Sequence, residues 1–372
     1  MSKVIIVYNS SKYVYLFKKN LIRSLKEYGF SVTVVAPRDE YSDRLEKIGV
    51  SYRPVSIRNQ GLSPLKDIIF LINMFKIYRD IKPDFALLYT IKPNIYGTLA
   101  SATLSINVIN NITGLGTVFL KRGFVQSITK LLYKYSFKFS KKVFFQNSED
   151  MALFTDQGLI HINKATLIPG SGVDVNHFKA ANSTKNGKII FLMIGRILVD
   201  KGVLEYIEAA KLIKSQFADA EFWLLGACDT DNKSSISYNQ VRCWENDGII
   251  KYLGEVEDVR KYISDSNVVV LPSYREGMPR VLLEALSMAR PVIGSNVPGC
   301  REVVNDRVNG FFCDVKNSAD LAKKMEEMIS IGHEKRALMG ENGRNDIIKK
   351  FDEKFVIQHY LKALNTDWND VS

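Results

Sequence analysis

One pattern, written twice, constrains this chain most. Short β-branched and aromatic runs alternate with longer amphipathic segments. The first series of runs is "KVIIVY", "SVTVVAP", "SYRPVSI", "DFALLYT", "NVINNIT", "KVFFQN" and "ATLIPG". Helical periodicity fills the gaps, as over Tyr15–Tyr28, Pro64–Asp80 and Asn94–Leu104. Near-continuous apolar runs that alternate with helices predict a parallel sheet covered on both faces.

A polar, turn-rich stretch, "KAANSTKNGK", occupies residues 179–188. It has no periodicity and reads as a linker. The alternation then restarts with "IIFLMIG", "AEFWLLG", "IIKYLG", "NVVVLP", "RPVIGS" and "NGFFCDV". The expected organisation is therefore α/β, with two doubly wound, Rossmann-like domains over 1–178 and 189–352. Two such domains in tandem present the carboxyl ends of their strands to a common cleft, where open α/β sheets bind ligands. The last segment, 353–372, contains the amphipathic "DEKFVIQHYLKALN", too late for the second sheet. It is expected to pack back across the junction.

Composition narrows the function. With 372 residues, 46% hydrophobic, the chain can bury two cores. The cysteines Cys228, Cys243, Cys300 and Cys313 form no C-x-x-C pair, and the four histidines lack metal-ligand spacing. The opening apolar run is too short for a secretory h-region, and no run of about 18 apolar residues occurs. A cytoplasmic protein is expected. The net charge of +11 is unevenly held: residues 1–180 carry 25 Lys+Arg against 12 Asp+Glu, whereas 181–372 carry 26 against 28. The first half is expected to face something anionic.

Chemistry concentrates in the second half. "IIFLMIG" ends at Gly195, and "RILVDKG" follows. Arg196 and Lys201 thus lie in a loop at a strand's carboxyl end, where a guanidinium fork and an ammonium can grip a diphosphate. Further on, "YREGMPRVLLEAL" (274–286) follows the strand "NVVVLP". Gly277 permits a tight turn, and Pro279 suits the first helical position. The helix start is expected to offer N–H groups around Met278–Leu282 as an anion site. Glu276 and Glu284 flank this start, and carboxylates suit the vicinal diols of a ribose or a hexose. Arg196 and Lys201 would offset their repulsion of a diphosphate.

The segment "SYREGMPRVLLEALSMARPVIGSNVPGCREVV" closely resembles the signature of the family 4 retaining glycosyltransferases of GT-B fold, and "MIGRILVDKGV" resembles their donor-phosphate loop. The resemblance implies that Arg196 and Lys201 bind the donor diphosphate, that Glu276 contacts the donor sugar and Glu284 the ribose. It further implies that the backbone of Gly277, Met278, Pro279, Arg280 and Val281 contacts sugar and phosphates. Gly195 lies at the start of the phosphate loop, and Gly254 and Val256 of "YLGEVEDV" match a loop lining the nucleobase.

The first-half segments "LYTIKPNIYGTLA" and "NNITGLGTVF" resemble bacterial enzymes that build O-antigen, capsule or other glycans on undecaprenyl diphosphate. Two departures stand out. The loop after the first strand, "YNSSKYVYLF", has no glycine, leaving Asn9 and Ser10 there. Asn111 and Thr113 occupy the loop where many members place a histidine. With Lys92 and Asn94 these are the candidate acceptor or cleft residues. No general base is named, since the resemblance implies that the departing diphosphate helps deprotonate the acceptor hydroxyl.

The expected activity is hexosyl or N-acetylhexosaminyl transfer from a nucleotide-sugar donor, UDP ahead of GDP, to a lipid-diphosphate-linked glycan acceptor. No cofactor and no metal are expected. Asp229–Asp231, "DTD", reads as an ordinary turn rather than a metal site. "GLGTVF" lacks the third glycine of a dinucleotide fingerprint, and no P-loop occurs. A basic nucleic-acid-binding protein is the rival of another class, but no nucleic-acid motif accompanies the charge. Lys130, Lys134 and Lys138 share one helical face, beside Leu131, Tyr135 and Phe139. That helix is either an ordinary solvated one or a contact with an anionic membrane, peripheral to its inner face. Oligomeric state has no signature here.

Overall fold

The computed structural model describes residues 1–57, 63–116, 119, 123–181, 187–228, 232 and 234–364. They fall into two compact units, Met1–Ser171 joined by the last helix from Val356, and Gly172–Phe355. The division lies ahead of the 179–188 segment, of which 182–186 are outside the described residues.

The first unit holds strands β1 (Lys3–Val7), β2 (Ser31–Ala36), β3 (Ser51–Pro54), β4 (Phe85–Tyr89), β5 (Asn107–Ile112), β6 (Ser140–Phe145) and β7 (Ala165–Leu167). They form one parallel sheet in the order β3-β2-β1-β4-β5-β6-β7. Helices α1 (Ser11–Glu27) and α2 (Glu40–Lys47) are followed by α3 (Pro64–Ile81), α4 (Thr98–Ser101), α5 (Phe124–Ser136) and α6 (Ser148–Asp156). Side chains alternate across each strand, so the sheet feeds two cores. Val4, Ile6 and Leu87 pack with α1, whereas Ile5, Val7, Ala86 and Leu88 pack beneath α3.

The second unit repeats the plan with β8 (Ile189–Ile194), β9 (Ala220–Leu225), β10 (Lys251–Tyr252), β11 (Val268–Leu271), β12 (Val292–Ser295) and β13 (Gly310–Cys313). Its parallel order is β10-β9-β8-β11-β12-β13. Helices α7 (Val203–Lys214), α8 (Tyr238–Asn246), α9 (Arg260–Asp265), α10 (Arg280–Ser287), α11 (Cys300–Val303), α12 (Ser318–Ser330) and α13 (Gly332–Lys350) cover both faces. In each sheet the strand order reverses once, between β1 and β4 and between β8 and β11. Those reversals open the crevices where such sheets bind ligands.

The final helix, α14 (Glu353–Leu364), returns to the first unit. Val356, Tyr360, Leu361 and Leu364 are buried with Val4, Ile6 and Leu87. The Tyr89 hydroxyl donates to the Tyr360 hydroxyl at 2.8 Å, and Tyr360 in turn donates to Asn111 Oδ1.

Local details differ from the expected ones. α1 begins at Ser11, four residues before Tyr15. The segment expected as a helix over Asn94–Leu104 is a π-helical turn, Pro93–Gly97, followed by the single turn of α4. "IIKYLG" contributes only two strand residues, at the edge of its sheet.

Candidate functional site

The second crevice gathers the residues singled out in the sequence. β8 runs into Gly195, Arg196 and a 3-10 turn, Val199–Lys201, before α7. Gly202 joins turn to helix with φ +76°, and a β-carbon there would lie 2.1 Å from the Pro272 carbonyl oxygen. Only glycine lets this loop pass so close to the end of β11. Val199 N–H donates to the Ser234 carbonyl, and Ser234 Oγ reaches Asp200 Oδ2 at 3.1 Å. These bonds pin the loop from its other side.

The loop after β11 is tied to the loop after β8. Tyr274 N–H donates to the Asp200 carbonyl at 3.0 Å, and its hydroxyl donates to Glu205 Oε1 at 2.8 Å. Burial, reinforced by the Glu205 carboxylate, holds the Tyr274 hydroxyl protonated well above the usual phenol range. Lys201 Nζ then meets Glu276 Oε1 at 2.6 Å, with side-chain exposures of 26% and 12%. The cation and the carboxylate, expected to offset each other, form a direct ion pair. Arg196 is exposed in the same loop.

Glu284 is one turn inside α10 and buried. Arg280 Nε donates to its Oε1 at 3.0 Å. Burial raises the Glu284 carboxyl above the ordinary glutamate value, while Arg280 and His177 pull the other way. The α10 start differs from expectation in two respects. Pro279 occupies the N-cap rather than the first helical position, with φ −77° and ψ 108°. Leu282 N–H donates inward to the Pro279 carbonyl at 3.1 Å, so it leaves the set of outward donors. Pro279 itself has no N–H to offer. Gly277 and Met278 are buried under this turn, and Val281 is half-buried beside the core. Gly254 sits close to the same edge: its carbonyl accepts Gly226 N–H at 2.8 Å. Half-buried Val256 packs against the core that contains Leu282 and Leu283.

Two further residues shape the site without having been singled out. Tyr274 is one. Gly299 is the other: a β-carbon there would lie 2.4 Å from the Gly277 carbonyl oxygen and 2.9 Å from that of Glu276. The Gly-Cys dipeptide after "NVP" was the only available signal, and it says nothing about what approaches it.

The first-unit candidates do not gather in the same way. Asn9 and Ser10 are half-buried between β1 and α1, and the Ser10 carbonyl accepts Val14 N–H. Lys92 Nζ pairs with Asp67 Oδ1 at 2.6 Å, largely out of solvent. Asn94 is buried and donates to the Asn111 carbonyl at 2.9 Å, while Asn110 Nδ2 donates back to Asn94 Oδ1. Asn111 donates to the Leu88 carbonyl and accepts from Tyr360. These asparagines hold β4, β5 and α14 together. Thr113 is half-buried at the end of β5. Asp229–Asp231 lies outside the described residues.

Comparison with known proteins bears on the fold and the family. Residues 174–346 match the family model "Glycosyl transferases group 1", and residues 3–147 match "Glycosyl transferase 4-like". A Campylobacter jejuni N,N'-diacetylbacillosaminyl-diphospho-undecaprenol alpha-1,3-N-acetylgalactosaminyltransferase is 29% identical over 94% of each chain. An Escherichia coli UDP-Gal:alpha-D-GlcNAc-diphosphoundecaprenol alpha-1,3-galactosyltransferase is 26% identical, over 85% of this chain and 83% of that one. Among solved structures, a Rickettsia africae glycosyltransferase superposes with TM-score 0.79 at 19% identity, over 98% of this chain and 97% of that one. The Anabaena HepE protein in complex with UDP gives 0.78 at 17%, over 98% and 99%. The fold is GT-B, and the chain belongs to the glycosyltransferases, with a glycosyl transferase 4-like first half and a group 1 glycosyl transferase second half.

Proposed function

We propose that this enzyme transfers a hexose or N-acetylhexosamine, with retention of configuration, from a UDP-sugar to a sugar on undecaprenyl diphosphate, at the inner face of the cytoplasmic membrane. The observation that carries the donor half is the Lys201–Glu276 pair at the β8/β11 crevice, beside the start of α10. It joins a phosphate-binding cation to a diol-binding carboxylate at the edge where α/β sheets bind ligands. The acceptor half is supported by the names of the Campylobacter and E. coli relatives, and by the basic first half.

The chemistry follows from charge. As the bond between the sugar's anomeric carbon and the diphosphate breaks, negative charge grows on the leaving oxygen. The Arg196 fork, the Lys201 ammonium and the α10 N-terminus stabilise that charge. The leaving oxygen takes the proton of the acceptor hydroxyl as that hydroxyl bonds to the anomeric carbon on the same face. Glu276 orients the sugar, Glu284 holds the ribose diol, and neither acts as a base. No metal is required in this scheme.

The test is transfer by the purified full-length enzyme from a panel of UDP- and GDP-sugars to a synthetic sugar-diphospho-polyprenol, with and without chelator. One UDP-sugar should be used, with an axial (α) product linkage and full rate in chelator. Use of GDP-sugars alone would overturn the donor assignment, and strict dependence on a divalent metal would overturn the charge scheme.

A further inference from the structure

We propose that the first unit docks on an anionic phospholipid bilayer through the outward apolar faces of α3 and α5. The inference rests on the acceptor being lipid-linked, and it adds the surface that brings the enzyme to that lipid.

Both helices are partly inside out. An amphipathic helix on a sheet normally buries its apolar stripe. In the first turns of α3 the acid Asp67 is buried, bonded to Lys92 and, at 3.3 Å, to the Tyr96 hydroxyl. Meanwhile Leu65 is 77% exposed and Ile69 55%, with Ile68 and Ile72 beside them. The buried residues of α5 are Thr129, Tyr133 and Ser136, whereas Phe124 is 79% exposed and Val125, Leu131 and Tyr135 are also open to solvent. A single exposed leucine is ordinary. Exposed apolar residues grouped on two helices that pack on the same turn mark an interaction surface.

Topology puts these faces on one side and at one end. α3 and α5 lie on the same face of the first sheet, and both pack on the Pro93–Gly97 turn. Each leads into a strand parallel to the one before it, so each begins near the carboxyl ends of the strands. Leu65, Ile68, Ile69, Phe124 and Val125 all belong to those beginnings. The apolar edge is therefore the ligand-binding end of the sheet.

Charge selects the occupant. Residues 85–148 contain eight Lys+Arg and no Asp or Glu. Lys66, Lys76 and Arg79 are exposed on α3, Lys134 on α5, and Lys138 in the 3-10 turn Phe137–Phe139 that follows α5. The Lys138 ammonium sits 5.0 Å from the centre of the Tyr135 ring. Apolar side chains that dip below headgroups, with lysines reaching to phosphates, describe an interfacial contact. A second copy would bring its own lysines against these, which opposes self-association.

The experiment is flotation of the full chain with vesicles of phosphatidylcholine alone or with added phosphatidylglycerol. Hydrogen–deuterium exchange is followed over 64–72 and 123–132 in the same samples. Wild type should float with the anionic vesicles and gain protection in both segments. Ile68→Gln/Ile69→Gln should lose about tenfold or more in vesicle affinity while keeping donor affinity. Lys134→Gln/Lys138→Gln should lose binding in a salt-dependent way. Equal flotation of the isoleucine variant, or protection elsewhere only, would overturn the proposal. So would a concentration-dependent dimer with no flotation. Transfer to a short-chain acceptor in solution reports separately on the enzymatic reading: if it proceeds while flotation fails, only the docking surface is wrong.

Discussion

Lys201 and Glu276 stand 75 residues apart in the chain and 2.6 Å apart in space. On the proposed scheme, the ammonium that meets the diphosphate is held beforehand by the carboxylate that meets the sugar. Binding the donor therefore exchanges one anion for another at Lys201, at a distance where charge is only partly screened. Lys201→Ala should lower turnover about 10²- to 10³-fold, the scale of losing one preorganised donor to a developing anion. Near wild-type transfer in a single-turnover assay would contradict this.

The carboxylate side of the pair yields a separate expectation. Glu276→Gln removes a negative charge next to the phosphate site and frees Lys201. UDP should bind as tightly as before, or more tightly, while the sugar of the UDP-sugar no longer adds affinity. Calorimetry with UDP and the UDP-sugar measures both, and a parallel loss of both affinities would disprove the division of roles.

Glu284 gives a pH signature. Its carboxyl is raised by burial, so as pH rises through the unfolded value of 4.5 and then the higher folded value, ionisation costs the native state stability. Glu284→Gln lacks that cost, so its melting temperature relative to wild type should climb as pH rises from the ordinary glutamate value towards the raised one. Donor affinity should run the other way. A ribose diol donates to the ionised carboxylate, so wild-type affinity should fall on acidification through that raised range. The Gln variant's affinity should be weak and flat with pH.

Gly299→Ala should harm catalysis more than folding. Its β-carbon can be accommodated only by moving the Gly277 and Glu276 carbonyls. Overpacking of this kind costs about 1–3 kcal/mol. The displaced turn carries Glu276 and the start of α10. Turnover should drop at least tenfold while urea unfolding shows a shift within that range. An unchanged rate would show that the turn adapts.

Tyr360→Phe should destabilise the first unit by about 1–3 kcal/mol, because it leaves the buried Tyr89 hydroxyl and the Asn111 side-chain Oδ1 without their partner. Denaturant unfolding of the variant measures this, and an unchanged midpoint would rule it out.

Much of the fold could be read because its strands are buried on both faces, so apolar runs such as "IIFLMIG" and "NVVVLP" have few alternatives. The meeting of Lys201 and Glu276 was legible for a related reason: charged residues directly after such strands fall at the crevice. β10 was overread because an edge strand has one neighbour, and its apolar run does not reveal how much of it pairs. Asn111 was read as a cleft residue because it lies in the segment where many similar enzymes place a histidine. Its actual partner, Tyr360, is 249 residues away, and no local pattern shows that. Gly299 was missed because what it permits is the approach of another loop, and a close approach is a property of the folded state.

The return of α14 to the first sheet also sets an order of events. Val4 and Ile6, ahead of the whole second unit in the chain, share a core with Leu361 and Leu364, which follow it. Domains emerging from a ribosome usually fold in turn. Here the unit made earlier waits, with part of its apolar face uncovered, for a helix that comes after the other unit.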